Sequence, residues 1–481
     1  MGLAKLLPVA SVLLMVGLAG PRPAAAAAPD EVAELKAELD ALKANTAALE
    51  ARIKQLEAAA ASAPAAPAAT VAAATAPEPA AAPAFPEPPP PPPPAAKGSN
   101  PTAFNPQISM ILTGNYAALS QDPTTYRVAG FIPPPEGEGP GPRSFNLDES
   151  ELTVASNVDP YFFAQVTAAI QGDDSIDIEE AFFKTIALSH GFTIKGGRFF
   201  SGTGYLNEIH SHNWDFVDQP LVYQVFFGGQ LAQDGVQLRW VAPTDYFLEF
   251  GAEVGSGRSF PGTQRNSNAL ASDALFAHVG NDIGDSISWR LGASWLDQRS
   301  SDRPYDDVDE FGNPVTNAFT GASKTWIADA TLKWAPHGDP TQHQLKLQSE
   351  YMHRSESGTL GFDITGVNLA DGYSSAQSGW YLQGVYEFKQ RWRAGLRYDS
   401  LRSGTPSIGL VTAGVLPFTA FPALLPGSPE RTTFMVDWSL SEFSRLRAQY
   451  AWDEARAGHE LDRQLLLQYI FSIGAHGAHK F

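Results

Sequence analysis

Two hydrophobic periods divide the chain. Between Asp30 and Ala58 apolar positions recur at alternating spacings of three and four: Val32, Leu35, Leu39, Leu42, Thr46, Leu49, Ile53 and Leu56. That heptad seam, with Glu, Lys and Ala between, predicts a helix that buries its stripe against copies of itself. From Asn100 onward the period is two. Trp289, Leu291, Ala293 and Trp295 alternate with Arg290, Gly292 and Ser294, and Trp326, Ala328, Ala330, Leu332 and Trp334 with Thr325, Asp329, Thr331 and Lys333. Trp380, Leu382, Gly384, Tyr386 and Phe388 continue the pattern, as do Trp392, Ala394, Leu396 and Tyr398, then Leu446, Ala448, Tyr450 and Trp452, and finally Leu465, Leu467, Tyr469, Phe471 and Ile473.

These segments run about 10–13 residues, where soluble strands average five or six. A tilted strand needs about 9–11 residues to cross a bilayer. Aromatic residues begin or end many of the apolar sets, as interfaces favour. A closed barrel leaves no backbone group unpaired in hydrocarbon. The fold class expected is therefore all-β: a transmembrane antiparallel β-barrel of about 16 strands over 100–481, preceded by a helical coiled coil and a Pro/Ala-rich linker. Short joints are expected at 157–160, at 281–285 and at Gln390. Long external loops are expected at 121–143, 256–273, 298–322, 356–376 and 402–430.

The N-terminal portion divides into three. Residues 1–28 carry Lys5, an apolar run from Leu6 to Leu18 and the alanines Ala24–Ala28, the pattern of a secretory signal peptide; an uncleaved anchor is the rival reading. Residues 29–58 form the periplasmic coiled coil, read as a parallel trimer, with a dimer or a lone docked helix as alternatives. Residues 59–99 are nearly all Ala and Pro, with an unbroken proline run from Pro88 to Pro94. Such a linker is semi-rigid, and forty residues in polyproline form reach about 120 Å.

Composition narrows the function. Across 481 residues there are 33 basic and 52 acidic side chains, a net charge of −19, and no cysteine. Nucleic acid is not an expected partner, because no basic stripe offsets the acidic excess. Disulfides, thiolate metal sites and thiol catalysis are excluded. Beyond the first 20 residues no apolar run is long enough for a spanning helix. No nucleophile elbow, phosphate-binding loop or H-E-x-x-H motif appears, so an enzyme is not expected.

Parity places charges of both signs on the inner wall. The expected pore-lining set is Lys195, Arg239, Glu249, Arg290, Asp329, Lys333, Lys346, Glu350, Glu387, Arg393, Arg397, Arg445 and Arg447, with Glu149, Glu151, Glu253, Asp437 and Asp453 also inward. Charges in a dry core are prohibitive, so an aqueous lumen is expected. At 195–220 the strand pattern stops after Phe200 and gives way to Gly, aromatics and possible ligands. This stretch is read as an inward constriction loop carrying Arg198, Tyr205, Asn207, Glu208, His210, His212, Trp214, Asp215 and Asp218. No cofactor is expected outright. A zinc or other divalent-cation site at Glu208, His210, His212 and Asp215 is one reading, and a set of residues that merely bonds the loop to the wall is the other. His476 and His479 are a second candidate pair.

Residues 101–481 resemble Gram-negative outer-membrane porins of the phosphate-selective porin O/P type. The passage Gly197, Arg198, Phe199, Phe200 followed by a glycine-containing inward segment carries the likeness. The strings GGRFFSGTGYLNEIHSHNWDFVDQPLVY, DGVQLRWVAPTDYFLEFGAEVG and the closing GAHGAHKF are similar to a proteobacterial group labelled zinc-regulated outer-membrane receptors or porins. The resemblance implies a sixteen-stranded trimer in the outer membrane, in contact with lipid and lipopolysaccharide and inserted by the barrel-insertion machinery, for which the terminal Phe481 is a signal. It implies passive diffusion of small hydrophilic solutes or ions. A zinc or divalent-metal uptake receptor and a tether between outer membrane and cell wall are the alternatives. Phosphate specificity does not carry over, since no arginine ladder runs along the wall.

Overall fold

In the computed structural model the described residues are 106–135, 137–263, 267–341, 343–458 and 460–474. The expected signal peptide, coiled coil and linker, the pair His476 and His479, and the terminal Phe481 lie outside them.

The alternating pattern becomes a single sheet that closes on itself. The strands are β1 (Gln107–Leu119), β2 (Ser144–Leu147 and Ser150–Asn157, one strand broken at 148–149), β3 (Phe162–Ile170), β4 (Ile176–Thr185), β5 (Phe192–Phe200), β6 (Ala232–Val241), β7 (Phe247–Gly255) and β8 (Ser272–Ile283). They continue as β9 (Ile287–Val308), β10 (Pro314–Trp334), β11 (Gln344–Phe362), β12 (Leu369–Lys389), β13 (Trp392–Arg402), β14 (Glu430–Ser441), β15 (Ser444–Asp453) and β16 (Asp462–Gly474). Each pairs antiparallel with the next, and β1 closes on β16 from Ser109 opposite Gly474 to Leu119 opposite Gln464. This is a closed antiparallel barrel of 16 strands, as the period predicts. Closure pairs every edge.

The outer wall is apolar. Leu291, Trp326, Tyr351, Leu382, Leu396, Phe434, Leu467 and Tyr469 are all exposed there. Aromatic rings gather in two rows. Near the short turns, Trp240 stacks between Phe192 and Phe250 at 6.1 and 5.9 Å, and Trp392 stacks on Trp438 at 5.6 Å. Towards the long loops lie Trp295 with Trp326 and Trp380 with Tyr398. The tryptophans of the two rows on β9, Trp289 and Trp295, are six residues apart, and Trp326 and Trp334 on β10 are eight apart. At about 3.3 Å per residue the rows are roughly 20–26 Å apart along the strand, the scale of the band that faces hydrocarbon.

Two expected loops are strand instead. The segments 298–322 and 356–376 belong to the hairpins β9–β10 and β11–β12, whose strands run on to Val308 and Phe362 and restart at Pro314 and Leu369. Outward positions there are polar (Arg299, Ser301 and Asp306), so the apolar half of the alternation vanishes while pairing persists. The inward half remains apolar: Tyr305, Phe319, Leu360, Phe362 and Tyr373 bury against Ile408, Leu410, Phe421 and Leu424 of the segment between β13 and β14. A second loop, between β1 and β2, folds over the same mouth, with Tyr126 Oη donating to Asp453 at 2.9 Å and Gln377 donating to the Gly130 carbonyl at 3.1 Å.

Candidate functional site: the segment inside the barrel

The chain between β5 and β6 turns into the lumen rather than outwards. Its two ends are held together: Ser201 N–H donates to the Leu231 carbonyl at 2.9 Å, and Asn207 clamps both, donating to the Ser201 and Leu231 carbonyls and accepting from Leu231 N–H. The segment contains one short helix, α1 (Leu221–Phe227). Pro220 precedes it and Gly228 ends it in the left-handed region at φ 64. Leu221, Val222, Tyr223, Val225, Phe226 and Phe227 are all buried, and a helix apolar on every side requires burial. It packs on Leu296, Ile327, Met352, Tyr381 and Leu401 of the inner wall, with Leu206 and Trp214 of the same segment.

Charged wall residues hold the backbone of this segment on every side. Glu253 accepts from Ser201 Oγ and Gly202 N–H. Glu350, 0% exposed, accepts from the N–H groups of Tyr205 and Leu206 and from the hydroxyls of Tyr223 and Tyr381. Arg354 donates to the Val225 and Phe226 carbonyls at the end of α1, where helical carbonyls lack partners. Asp399 receives Leu221 N–H at the other end. Arg447 donates to the Trp214 carbonyl at 2.6 Å, and Arg445 to the carbonyl of His212.

The side chains expected in the constriction separate into distinct places. Glu208 meets Arg239 at 2.5 Å and Lys195 at 3.8 Å. Tyr205 lies under both Arg290 and Lys346, each 5.2 Å from its ring. Trp214 donates its indole N–H to the Ile209 carbonyl at 2.7 Å. Asp215 bridges Lys346 and Arg393 at 3.0 Å each, and Asp218 pairs with Arg397 at 2.8 Å and Arg431 at 2.7 Å. Burial alone would raise both carboxyls. The facing cations outweigh it, holding Asp215 well below the ordinary range and Asp218 at about 2.

The sign for Asp218 follows from linkage. A carboxyl depressed from 3.8 to about 2 contributes its full stability above pH 4 and loses it as pH falls through about 2. The Asp218 anchor is therefore expected to hold from pH 7 to pH 4, and the protease resistance of the chain between Ser201 and Leu231 to stay level over that range. In Asp218→Asn the segment should loosen and the current become noisier over the whole range. Protease resistance of that chain equal in Asp218→Asn and wild type across the range would count against Asp218 as a main anchor.

Three expectations are corrected. Arg198 is not in the loop: it sits in β5 and points away from the lumen to Asp234 at 2.7 Å and the Ile178 carbonyl. Three residues beyond the inward Lys195, it falls on the outer face by the strand alternation itself. Glu208 and Asp215 do not join His210 and His212, because the cations just named claim them. The inner charges do not all face water. Arg397, Arg447, Asp437 and Glu350 are sealed beneath the inward segment, satisfied by one another and by its backbone. Glu249 holds His278 at 2.9 Å, Asp329 is buried beside Glu350, Lys333 lies inward near Lys346, and Glu387 lines a cavity at the turn end.

The structure assembles a different cluster around His210. Its Nδ1 lies 3.0 Å from Glu151 and 3.4 Å from Glu179, and its Nε2 lies 3.1 Å from Glu180. His212 Nδ1 takes the other oxygen of Glu151 at 2.7 Å, and Ser211 Oγ donates to Glu149 at 2.5 Å. Burial would lower the His210 pKa, but the Glu151 carboxylate and its neighbours outweigh it and raise it well above the ordinary value. Alternation alone could not reveal Glu179 and Glu180, since consecutive strand residues face opposite ways. A bulge brings both in: Thr167 faces Glu180 and Ala168 faces Ile178, leaving Glu179 as the extra residue.

Cavities flank this cluster. One of about 960 Å³ at the loop end is lined by Glu149, Glu179, Phe200, Trp214 and Asp218. Another of about 420 Å³ at the turn end is lined by His212, Asn213, Glu387, Arg393 and Arg445. A third, of about 450 Å³, meets Tyr205, Glu208, Arg239 and Arg290 from the turn end.

No family model matches the chain. In fold, at 10–12% identity, it is similar to OmpT in trimer form, an outer membrane protein of Vibrio cholerae (TM-score 0.47, 10% identity, 77% of this chain and 99% of that one). It is likewise similar to an anion-selective porin from Comamonas acidovorans (TM-score 0.46, 11% identity, 77% and 99%) and to Pseudomonas putida OprB (TM-score 0.44, 12% identity, 77% and 94%). In sequence it is 31% identical over 405 residues to an uncharacterized protein of Aquifex aeolicus strain VF5, covering 79% of this chain and 80% of that protein. At that identity and coverage, the chain belongs to one family with the Aquifex protein.

Proposed function

We propose that the protein is an outer-membrane channel for passive diffusion of small hydrophilic ions, with no chemical step. One observation carries the reading: a closed barrel, apolar and aromatic outside and charged inside, holds polar cavities on both sides of an inward segment. A soluble protein does not leave such a continuous apolar belt uncovered. The N-terminal signal, the trimeric coiled coil and the spacer belong to the same proposal. The likeness to the phosphate-selective and zinc-regulated groups stays at the level of architecture.

The sign of the ion follows from the loop-end cavity. Apart from Asp218, which Arg397 and Arg431 neutralise, and Arg198, which turns out to Asp234, its lining includes Asp148, Glu149, Asp173, Asp177 and Glu179 against Arg258, five acids to one base. A mouth with that excess concentrates cations. Detergent-purified protein in a planar bilayer is expected to give stepwise openings, and a tenfold KCl gradient a reversal potential of the sign for potassium. The preference should weaken between 0.1 and 1 M salt as the Debye length shrinks from about 10 to about 3 Å. Electrically silent preparations would overturn the channel, and a chloride-signed potential its cation preference.

A further inference from the structure

The cluster around His210 has a feature that anchoring does not explain. Elsewhere in the segment each carboxylate meets a cation or several N–H and O–H donors. Here the single imidazole is surrounded by three carboxylates. Glu180 faces Nε2 while Glu151 and Glu179 face Nδ1, so a metal ion that replaces the proton on Nδ1 leaves the ring donating from Nε2 to Glu180 with its Nδ1 lone pair turned towards Glu151 and Glu179. Nδ1 of His210 and Oε2 of Glu179 are both buried and face each other at 3.4 Å without hydrogen-bond alignment, and the Glu179 side chain is only 10% exposed. One ligand atom each from Glu151, Glu179 and His210 lies within 4.8 Å of the others. The cluster holds its negative charge together with a proton on Nδ1 or with a metal ion in the same place, and the second arrangement satisfies all three ligand atoms at once.

We propose that Glu151, Glu179 and His210 bind a divalent first-row transition-metal ion in the barrel interior, between the cavity at the loop end and the cavity holding His212. One imidazole nitrogen with two carboxylate oxygens suits zinc or manganese ions better than magnesium, which takes an oxygen shell. Three protein ligands leave coordination positions for water or for exchange with the lumen. Glu180 is the positioning residue. Its carboxylate on Nε2 fixes the tautomer and the ring plane, as carboxylates behind metal-bound histidines do. His212 plays a similar part for Glu151 by occupying the oxygen turned away from His210. The bulge in β4 is what makes the site. Without the extra residue, Glu179 and Glu180 would lie on opposite faces of the barrel wall.

The site is independent of whether ions pass, although its effect on current rests on the channel reading. The experiment uses the full chain, stripped with EDTA in detergent and dialysed against increasing zinc chloride, with bound metal counted per chain. Wild type is expected to hold one zinc that a hundredfold excess of magnesium does not displace. Glu179→Gln and His210→Gln should lose that zinc, and Glu180→Gln should weaken it by about 10- to 100-fold. His343→Ala, altering an exposed histidine at the turn end, should retain it. Retarded heat-modifiable migration in each variant checks that the barrel is folded. The same zinc, added in the bilayer, should slow the wild-type current and spare that of Glu179→Gln. Equal zinc stoichiometry and affinity in wild type and the folded Glu179→Gln variant would overturn the site while leaving the channel intact. Normal zinc binding by an electrically silent protein would overturn the channel and leave the site.

Discussion

Replacing residues 202–230 with Asn-Gly is expected to give a barrel that folds, inserts and passes several times the current of the parent. The geometry permits the cut. Phe200 pairs with Ala232 as the last register of β5 and β6, and Ser201 N–H already bonds the Leu231 carbonyl. A two-residue turn of the type favoured between twisted strands therefore closes the hairpin without moving either strand. The removed segment carries the apolar plug, including Leu206, Trp214 and the whole of α1. At about 1.5–3 kcal/mol for each fully buried apolar side chain, its loss costs much of the interior's packing energy. The sixteen strand pairings remain, and a sixteen-stranded barrel left without a plug encloses an aqueous channel. Glu350, Arg354 and Asp399 lose their partners on the segment, but water enters with the vacancy and solvates them, so they do not become orphaned charges in a dry core. The thermal midpoint should fall while heat-modifiable migration persists. An unchanged unitary current in a folded, inserted variant would mean that ions do not pass through this lumen at all.

The barrel was legible in the sequence because a bilayer forces a period of two over long strands, and residues such as Trp289 to Trp295 and Trp326 to Trp334 obey it without exception. Parity also put Glu350, Arg393, Arg397 and Arg447 on the inner wall, where they are. Three kinds of information were not in the alternation. It fails where the outer face leaves the apolar band, which is why the upper halves of β9 to β12 read as loop. It fails at an irregularity of the backbone: the bulge in β4 turns both Glu179 and Glu180 inwards. It also says nothing of what fills the lumen. Charges on an inner wall imply water only when no other polar partner is present, and here the backbone of the inward segment is that partner. The end of strand pattern at Phe200 was a fair signal for that segment. The apolar run Leu221–Phe227, which is α1, was the signal that it packs as a plug rather than lying as a thin ring.

Glu350 is where that substitution of backbone for water is most concentrated, and Glu350→Ala should have the largest effect of any single change. Its two oxygens accept from Tyr205 N–H and Leu206 N–H at 3.0 Å, from Tyr223 Oη at 2.9 Å and from Tyr381 Oη at 2.6 Å. Truncation leaves four buried donors with nothing to accept from them, at about 1–3 kcal/mol each. The total is comparable to the stability of a whole domain, so the plug cannot keep its position and must move until water reaches those donors. The barrel wall is not obliged to follow, since Glu350 itself contributes to the pairing of β11 with β10 and β12 only through its backbone. The expected phenotype is thus a folded barrel with enlarged, fluctuating current and new protease sites between Ser201 and Leu231. Glu350→Gln tests the same argument from the other side. It keeps volume and one acceptor oxygen but turns an N–H₂ group towards donors, so its current should lie between those of wild type and Glu350→Ala. If the alanine variant kept wild-type current and wild-type resistance to protease, the four bonds could not be what holds the plug, and the anchoring would have to rest on the cation-paired side, at Asp215 and Asp218.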